Sequence, residues 1–449
     1  MKTLIRNGII VTMNENRDVF AGGYVLIEGS KILRTGPESD LESVINDESD
    51  SEQESGLEVI DAHGAIVMPG MVNTHCHMGM IPFRGLGDDC KDRLRVFLLP
   101  MEKQAVDQKL VELSSRYAVC ELLLSGVTTV MDMYYFVGQV ARVMDEMGIR
   151  GIAAQTVMEE PTCDADCAEE AIAYGEVYMR AYQNHPRVRV CLAPHGTTTC
   201  SPRTLQQIHK LDAAAGLPFS LHVAEMDYEM TELQEKWGCT PVEYLHRLGV
   251  LDEHLVSAHS IRLTEQDLAR MSRMKCSVAH CIVSNTKAAK GVAPVTRMRE
   301  YQIPVGLGTD GPASGNTLDL FTQMHFCANF HKNETHDRSA FPAKEIVAMA
   351  TIEGAKALGL DAVTGSLEAG KEADLVLVET DSPNMFPVYD PYSALVYSAR
   401  ADNVRDVYVA GTCLVKDKKL VYQDFDKIRT NLNKKMSKTA FAEMKNLVC

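Results

Sequence analysis

At 449 residues the chain is too long for one small core, and its makeup, 45% hydrophobic and 24% charged, is that of an ordinary globular protein. A net charge of −16 argues against a nucleic-acid partner, whose phosphates would call for clustered Lys and Arg, and favours a small neutral or cationic substrate. Thirteen cysteines, an odd number without a CxxC pair, predict reduced thiols. The lack of a signal peptide, and of any apolar run of about eighteen residues, predicts a cytoplasmic protein with no membrane span.

The first strand-like runs, Thr3–Arg6, Ile9–Thr12, Tyr24–Ile27 and Lys31–Leu33, are short and separated by Gly and Asn turns, which predicts a small antiparallel unit. From Glu38 to Glu58 a Ser, Asp and Glu run offers little to bury and predicts a solvated loop. At Ala65 the rhythm changes. Short apolar runs over 65–77, 126–133, 149–157, 188–195, 218–225, 254–259, 275–280 and 303–310 alternate with amphipathic stretches. The stretches of helical period include Asp107–Leu124, Val137–Met147, Ala168–Gln183, Pro202–Ala215, Pro241–Leu248, Glu265–Met274 and Val295–Glu300. Strand followed by helix eight times over is the pattern of an α/β fold, a (β/α)8 TIM barrel over 65–364. Strand runs return at Ala373–Val378, Val404–Val409 and Thr412–Val415, before a polar helical tail from Asp424 to Leu447. Neither 1–64 nor 365–449 has the apolar surface to fold separately, so together they predict one small, discontinuous β-sandwich domain.

In a parallel barrel chemistry is done at the C-terminal ends of the strands. The residues closing the runs are His75 and His77, Asp132, Gln155, His195, His222 followed by Glu225, His259, His280 and Asp310. His75 and His77 are one residue apart, so in a strand both project from the same side. A single histidine ending a strand is usually a hydrogen-bonded structural group. Five of eight strands ending in histidine, out of 14 histidines in all, predict a metal site. Imidazoles with one carboxylate suit zinc, with iron or manganese as alternatives. Glu225, three residues after His222, is placed to pass a proton between a metal-activated water and a substrate. The GxGxxG spelled by Gly306–Gly311 is a coincidence, because Asp310 inside the turn would repel a pyrophosphate.

Several motifs occur in a fixed order: Pro69-Gly70 before His75-Cys76-His77, His222-Val223-Ala224-Glu225, Ser257-Ala258-His259, Ala279-His280-Cys281 with Ser284-Asn285, Gly291–Val295, and Gly308-Thr309-Asp310-Gly311. This set resembles the amidohydrolase superfamily. The nearest likeness is to its mononuclear aminohydrolase branch, which holds methylthioadenosine/S-adenosylhomocysteine deaminases, guanine deaminases and triazine hydrolases. The resemblance implies one divalent metal held by His75, His77, His222 and Asp310. It implies Glu225 as proton shuttle, His259 as the group that polarises the attacked centre, and Asp310 as a partner of the hydroxide. A second metal bridged by a modified lysine is not expected, because strand four ends in Pro194-His195.

The same resemblance implies substrate contacts from Glu102, in Leu99-Pro100-Met101-Glu102, to a ribose and from His195 to the nucleoside, with Gln155 and His280 at neighbouring strand ends. Two arginines that serve S-adenosylhomocysteine in that family are missing after strand three, where Gln155 takes the first place. The implied reaction is hydrolytic deamination of an amino-substituted N-heterocycle: a purine, an adenine nucleoside such as methylthioadenosine, or a pterin. Hydroxide adds to an amidine-like ring carbon, Glu225 protonates the adjacent nitrogen, and ammonia leaves. A homo-oligomer, dimer or tetramer, is the implied assembly. The same site would also suit a triazine chlorohydrolase or a cyclic amidohydrolase, and a silent barrel would act as a binding or assembly protein.

Overall fold

The computed structural model describes residues 2–41 and 56–438. The chain opens with β1 (Lys2–Val11), β2 (Val19–Glu28), β3 (Lys31–Pro37), β4 (Leu57–Asp61) and β5 (Ile66–Pro69). β1 is a single strand rather than the two short ones expected. Asn7, in left-handed backbone at φ 57°, and Gly8 make an irregularity across which pairing with β2 continues. Before it β1 runs parallel to β4, and after it parallel to β5. In the acidic stretch expected to be a loop, Glu38–Asp40 form a 3-10 turn and Leu57 already begins β4; residues 42–55 lie outside the described residues.

The apolar run that starts at Ala65 serves two sheets. Gly70 is the crossing point, packed so closely that a Cβ there would lie 2.1 Å from Thr128 Oγ1. Beyond it come the eight barrel strands: β6 (Met71–Cys76), β7 (Val127–Tyr134), β8 (Arg150–Val157), β9 (Val188–Pro194), β10 (Phe219–Val223), β11 (Leu255–His259), β12 (Ser277–His280) and β13 (Val305–Leu307). Each falls inside one of the eight expected runs, apart from Tyr134 at the end of β7, and the barrel starts at Met71 rather than at residue 65. β7 and β8 are buried at every position, as strands covered on both faces must be, which is why they read as continuous apolar runs.

The strands pair in parallel as two four-stranded sheets, β6 to β9 and β10 to β13. Two narrow seams join them. At one, Gly196 bridges His222 and the His222 amide donates to the His195 carbonyl at 3.2 Å. At the other, Cys76 bridges Asp310 and the Asp310 amide donates to the His75 carbonyl at 3.0 Å. The backbone bonds that close the barrel therefore belong to candidate site residues.

Helices occupy 108–124, 137–147, 168–181, 202–214, 241–247, 265–273 and 295–300, within two residues of expectation. Asp227–Trp237 was not anticipated, because only Glu229 and Leu233 of that helix are buried and its apolar stripe is correspondingly thin. At the C-terminus β14 (Leu375–Val378), β15 (Val404–Val409), β16 (Thr412–Lys416) and β17 (Lys419–Leu420) join β5. The expected sandwich is thus one forked, nine-stranded sheet built from both ends of the chain, around Ile5, Ile10, Val25, Val67, Leu375 and Leu377. The tail is helical over Phe425–Met436, and residues 439–449 lie outside the described residues. Among the described residues eleven cysteines are free thiols, eight of them buried. Cys90, half-buried in the loop after Gly87, departs from the expected reduced set in being disulfide-bonded.

Candidate active site

The barrel seams bring His75, His77 and His222 together, with ligand-capable atoms all within 4.8 Å of one another. Two of the rings are oriented from behind. His77 Nδ1 donates to the Met133 carbonyl at 2.5 Å, and His222 Nδ1 donates to the His195 carbonyl at 2.6 Å. A carbonyl can only accept, so each Nδ1 carries the proton and each Nε2 is left to face the others. His75 is fully buried, and neither of its ring nitrogens has a partner among the described residues. An orphaned buried imidazole between two rings with inward lone pairs fits a divalent cation such as zinc.

Asp310 completes this side. It follows β13 in left-handed backbone at φ 58°, with Oδ1 3.2 Å from His77 Nε2, and Oδ2 accepts from Ser284 Oγ at 2.6 Å. Burial works against its charge, but the hydrogen bond and charge of His77, with His259 and His75, hold it well below the usual carboxylate range. Burial likewise disfavours a second proton on His77, yet Asp310 outweighs it and raises that ring to about 9, so a cation bound there would take the place of the proton on Nε2. The pocket is therefore electronegative where a cation would sit. Burial and neighbouring imidazoles push His75 and His222 the other way, well below the ordinary value, which keeps them neutral as ligands must be.

Glu225 stands on the other side of the same space. Its Oε1 is 3.6 Å from His259 Nε2 and 2.5 Å from Lys290 Nζ. Burial alone would raise its pKa; His259, Lys290 and His222 overcome that and bring it to about 2. His259, at φ 69° and 1% exposed, donates from Nδ1 to Asn285 Oδ1 at 2.8 Å, which turns Nε2 toward Glu225. A cavity of about 210 Å³ opens over these groups, walled by His77, Glu102, His195, Glu225, His259 and Asp310 among others. Apolar and aromatic groups, including Met80, Leu98, Met133, Tyr134 and Tyr135, line the rest of the wall.

The amidohydrolase family model matches residues 66–414. The chain belongs to the amidohydrolase family. A 5-methylthioadenosine/S-adenosylhomocysteine deaminase of Syntrophus aciditrophicus is 34% identical over 93% of this chain and 93% of its own. A 5'-deoxyadenosine deaminase of Methanosphaera stadtmanae is 36% identical over 85% and 89%. Among solved structures, a zinc-bound adenosine deaminase from Xanthomonas campestris superposes with a TM-score of 0.92 at 27% identity, covering 99% of both chains. The protein is accordingly a hydrolase of carbon–nitrogen bonds outside peptides.

Of the expected substrate contacts in this amidohydrolase, two line the cavity. Glu102 is 3% exposed and accepts from the Tyr134 hydroxyl at 2.6 Å; burial raises its pKa to about 7. His195 offers its ring to the cavity, while Nδ1 meets Thr199 Oγ1 at 3.1 Å. The other two are not brought there. The Gln155 side chain accepts from the Val137 amide at 3.1 Å and donates to Asp164 at 2.9 Å, so it caps the 137–147 helix instead. His280 turns to the 320–335 helix, where its Nε2 meets His331 Nε2 at 3.2 Å. Both point to where a buried polar group found its partner, and strand-end position alone does not reveal that direction.

Other residues of the site carried no sequence signal or a faint one. Glu229 accepts from the amides of Ala224 and Glu225 at 3.0 and 2.9 Å and from the Thr197 hydroxyl at 2.7 Å, so it holds the turn that aims Glu225. Its position four residues after Glu225 was the only clue. Asn73 ties β6 to the segment before Asp310, donating to Thr309 Oγ1 at 2.7 Å. Lys290 sits in a loop outside every expected element.

Proposed function

We propose that this amidohydrolase is a metal-dependent hydrolytic deaminase of an amino-substituted N-heterocycle, an adenine nucleoside first. The observation that carries the reading is Glu225, held by Lys290 in a cavity whose foot is formed by three convergent imidazoles. His75, His77, His222 and Asp310 would hold the metal, with zinc the ion that their chemistry suits best. When bound, the metal supplies a Lewis acid that makes water a nucleophile near neutral pH.

The remaining work falls to the chain. Glu225 takes a proton from the attacking water and delivers it to the ring nitrogen beside the attacked carbon. His259, whose Nδ1–H is engaged by Asn285, turns Nε2 to the same space and, carrying a proton there, donates to the negative charge that develops on the attacked centre. The cavity walls exclude bulk water, and ammonia is the leaving group.

The relatives named above act, by their names, on methylthioadenosine, S-adenosylhomocysteine and 5'-deoxyadenosine. Here the partly buried cations of the wall are already paired: Lys287 with Asp88 at 2.9 Å, Lys290 with Glu225, and Arg93 with the carbonyls of Leu86 and Ala313 at 2.7 and 2.6 Å. A neutral nucleoside such as methylthioadenosine or 5'-deoxyadenosine fits these paired cations as they stand, whereas a substrate carboxylate would have to draw on the exposed Lys91 at the rim of the wall. A cytoplasmic homo-oligomer belongs to the same reading. No helix among the described residues is long and apolar enough to cross a membrane.

An ammonia-release screen of adenine nucleosides, free purines, pterins and triazines with metal-loaded protein tests this. Glu225→Gln should keep its metal and lose about 10²- to 10⁴-fold in kcat, the usual worth of a positioned proton carrier. Full activity in that variant, or chloride release from triazines with no ammonia from any nucleoside, refutes the reading.

A further inference from the structure

We propose that Lys290 is a positioning residue that locks Glu225 in its working orientation, a role that rests on reading Glu225 as the proton carrier. Glu225 has three side-chain torsions to restrain, and its task is to meet the water and the ring nitrogen in succession. Lys290 restrains it at one oxygen. Nζ donates to Oε1 at 2.5 Å, and Oε1 is also the oxygen nearest His259. Oε2 is thereby left for proton transfer.

The loop around Lys290 is shaped to present this one side chain. Ala289 and Gly291, on either side, both have left-handed backbone, at φ 54° and 115°. The Lys290 amide donates to the Asn285 carbonyl at 2.9 Å. Asn285 is the residue whose side chain orients His259, and its neighbour Ser284 donates to Asp310. One segment, 284–290, thus supports three site groups in turn: Ser284 holds Asp310, Asn285 holds His259 and Lys290 holds Glu225. The lysine is only 17% exposed, and Glu225 is its one hydrogen-bond acceptor among the described residues. A cation so withdrawn from water stays with its carboxylate. Lys290 also forms part of the cavity wall, so a direct contact with substrate is the rival role.

The test compares kcat, KM and bound metal for the wild type, Lys290→Met, Lys290→Arg, Glu225→Gln and the Glu225→Gln/Lys290→Met double variant. Lys290→Met should lower kcat about a hundredfold, the scale of loss from a misplaced reacting group, with KM and metal content near wild type. Lys290→Arg should restore most of that loss. In the Glu225→Gln background, Lys290→Met should cost nothing more, because the lysine acts only through the carboxylate. Lys290→Gln carries the same comparison if the methionine variant does not fold. A wild-type kcat in Lys290→Met, a loss confined to KM, or a full extra loss in the double variant overturns the proposal. If Glu225→Gln is inactive while Lys290→Met is unimpaired, only the role of Lys290 falls. Activity in Glu225→Gln sinks the deaminase mechanism and this role with it.

Discussion

Among the described residues, two groups of ligand-capable side chains lie in this barrel, one buried except for the half-buried His222 and the other wholly buried, and their difference shows what closeness alone does not make. His75, His77 and His222 form one; His280, Cys327 and His331 form the other, and in each the candidate atoms lie within 4.8 Å. In the first group two rings are held from behind by backbone carbonyls, and the free nitrogens converge at the foot of a cavity. In the second, His280 and His331 spend a nitrogen each on one another at 3.2 Å, and the His331 ring packs 5.1 Å from that of Phe341. Neither His280 nor His331 reaches the cavity wall, although His280 Nδ1 is itself without a partner. The first arrangement leaves nitrogen lone pairs turned to a common space. The second uses the same residue type to fasten the end of β12 to the 320–335 helix.

The strongest way to break this contrast is to remove one ring from the first group. His222→Ala should abolish bound metal and reduce activity to background, as read by metal analysis beside the ammonia assay; metal retained at full occupancy would erase the distinction. A second effect concerns the acid beside that group. The Glu102 carboxyl is raised from 4.5 to about 7 by burial. The folded chain therefore keeps a proton that the unfolded chain gives up, so stability is complete below pH 4.5 and declines as pH rises to about 7. At about 1.4 kcal/mol per unit, the decline is on the order of 3 kcal/mol. Glu102→Gln should remove about that share of the decline in denaturant melts between pH 5 and 8, leaving the shares of Asp132 and Glu229, whose carboxyls burial also raises to about 7; an unchanged slope would show that Glu102 contributes none of it. The smallest effect belongs to the second group. His331→Leu should cost about 1 to 3 kcal/mol by leaving His280 unpaired. Metal content should not change; a metal stoichiometry that falls with this substitution would make the two groups alike.

Much of the site could be read in the sequence because its residues close strands. A strand end in a parallel barrel has a fixed place at one rim, so His75, His77, His222, His259 and Asp310 declared themselves by position. Gln155 and His280 occupy strand ends as well and misled. Val137 and Asp164 claim the first, and His331 claims the second. Those partners are 9 to 51 residues away and follow no spacing rule. Glu229 and Lys290 went unnoticed for the complementary reason, since a lone acid on a polar helix and a lone lysine in a loop look like solvent-facing charges until something buried meets them.

The order of apolar runs and helical stretches, together with the chemistry at the run ends, fixed the barrel and its metal-ligand candidates, because periodicity and strand direction are properties of the local chain. Contacts between distant segments decided the rest: the two seams at His195–His222 and His75–Asp310, the fork of the small sheet at Asn7, and the grip of Lys290 on Glu225. A buried polar atom takes whichever partner the folded chain brings within about 3 Å, and only the closed barrel determines which partner that is.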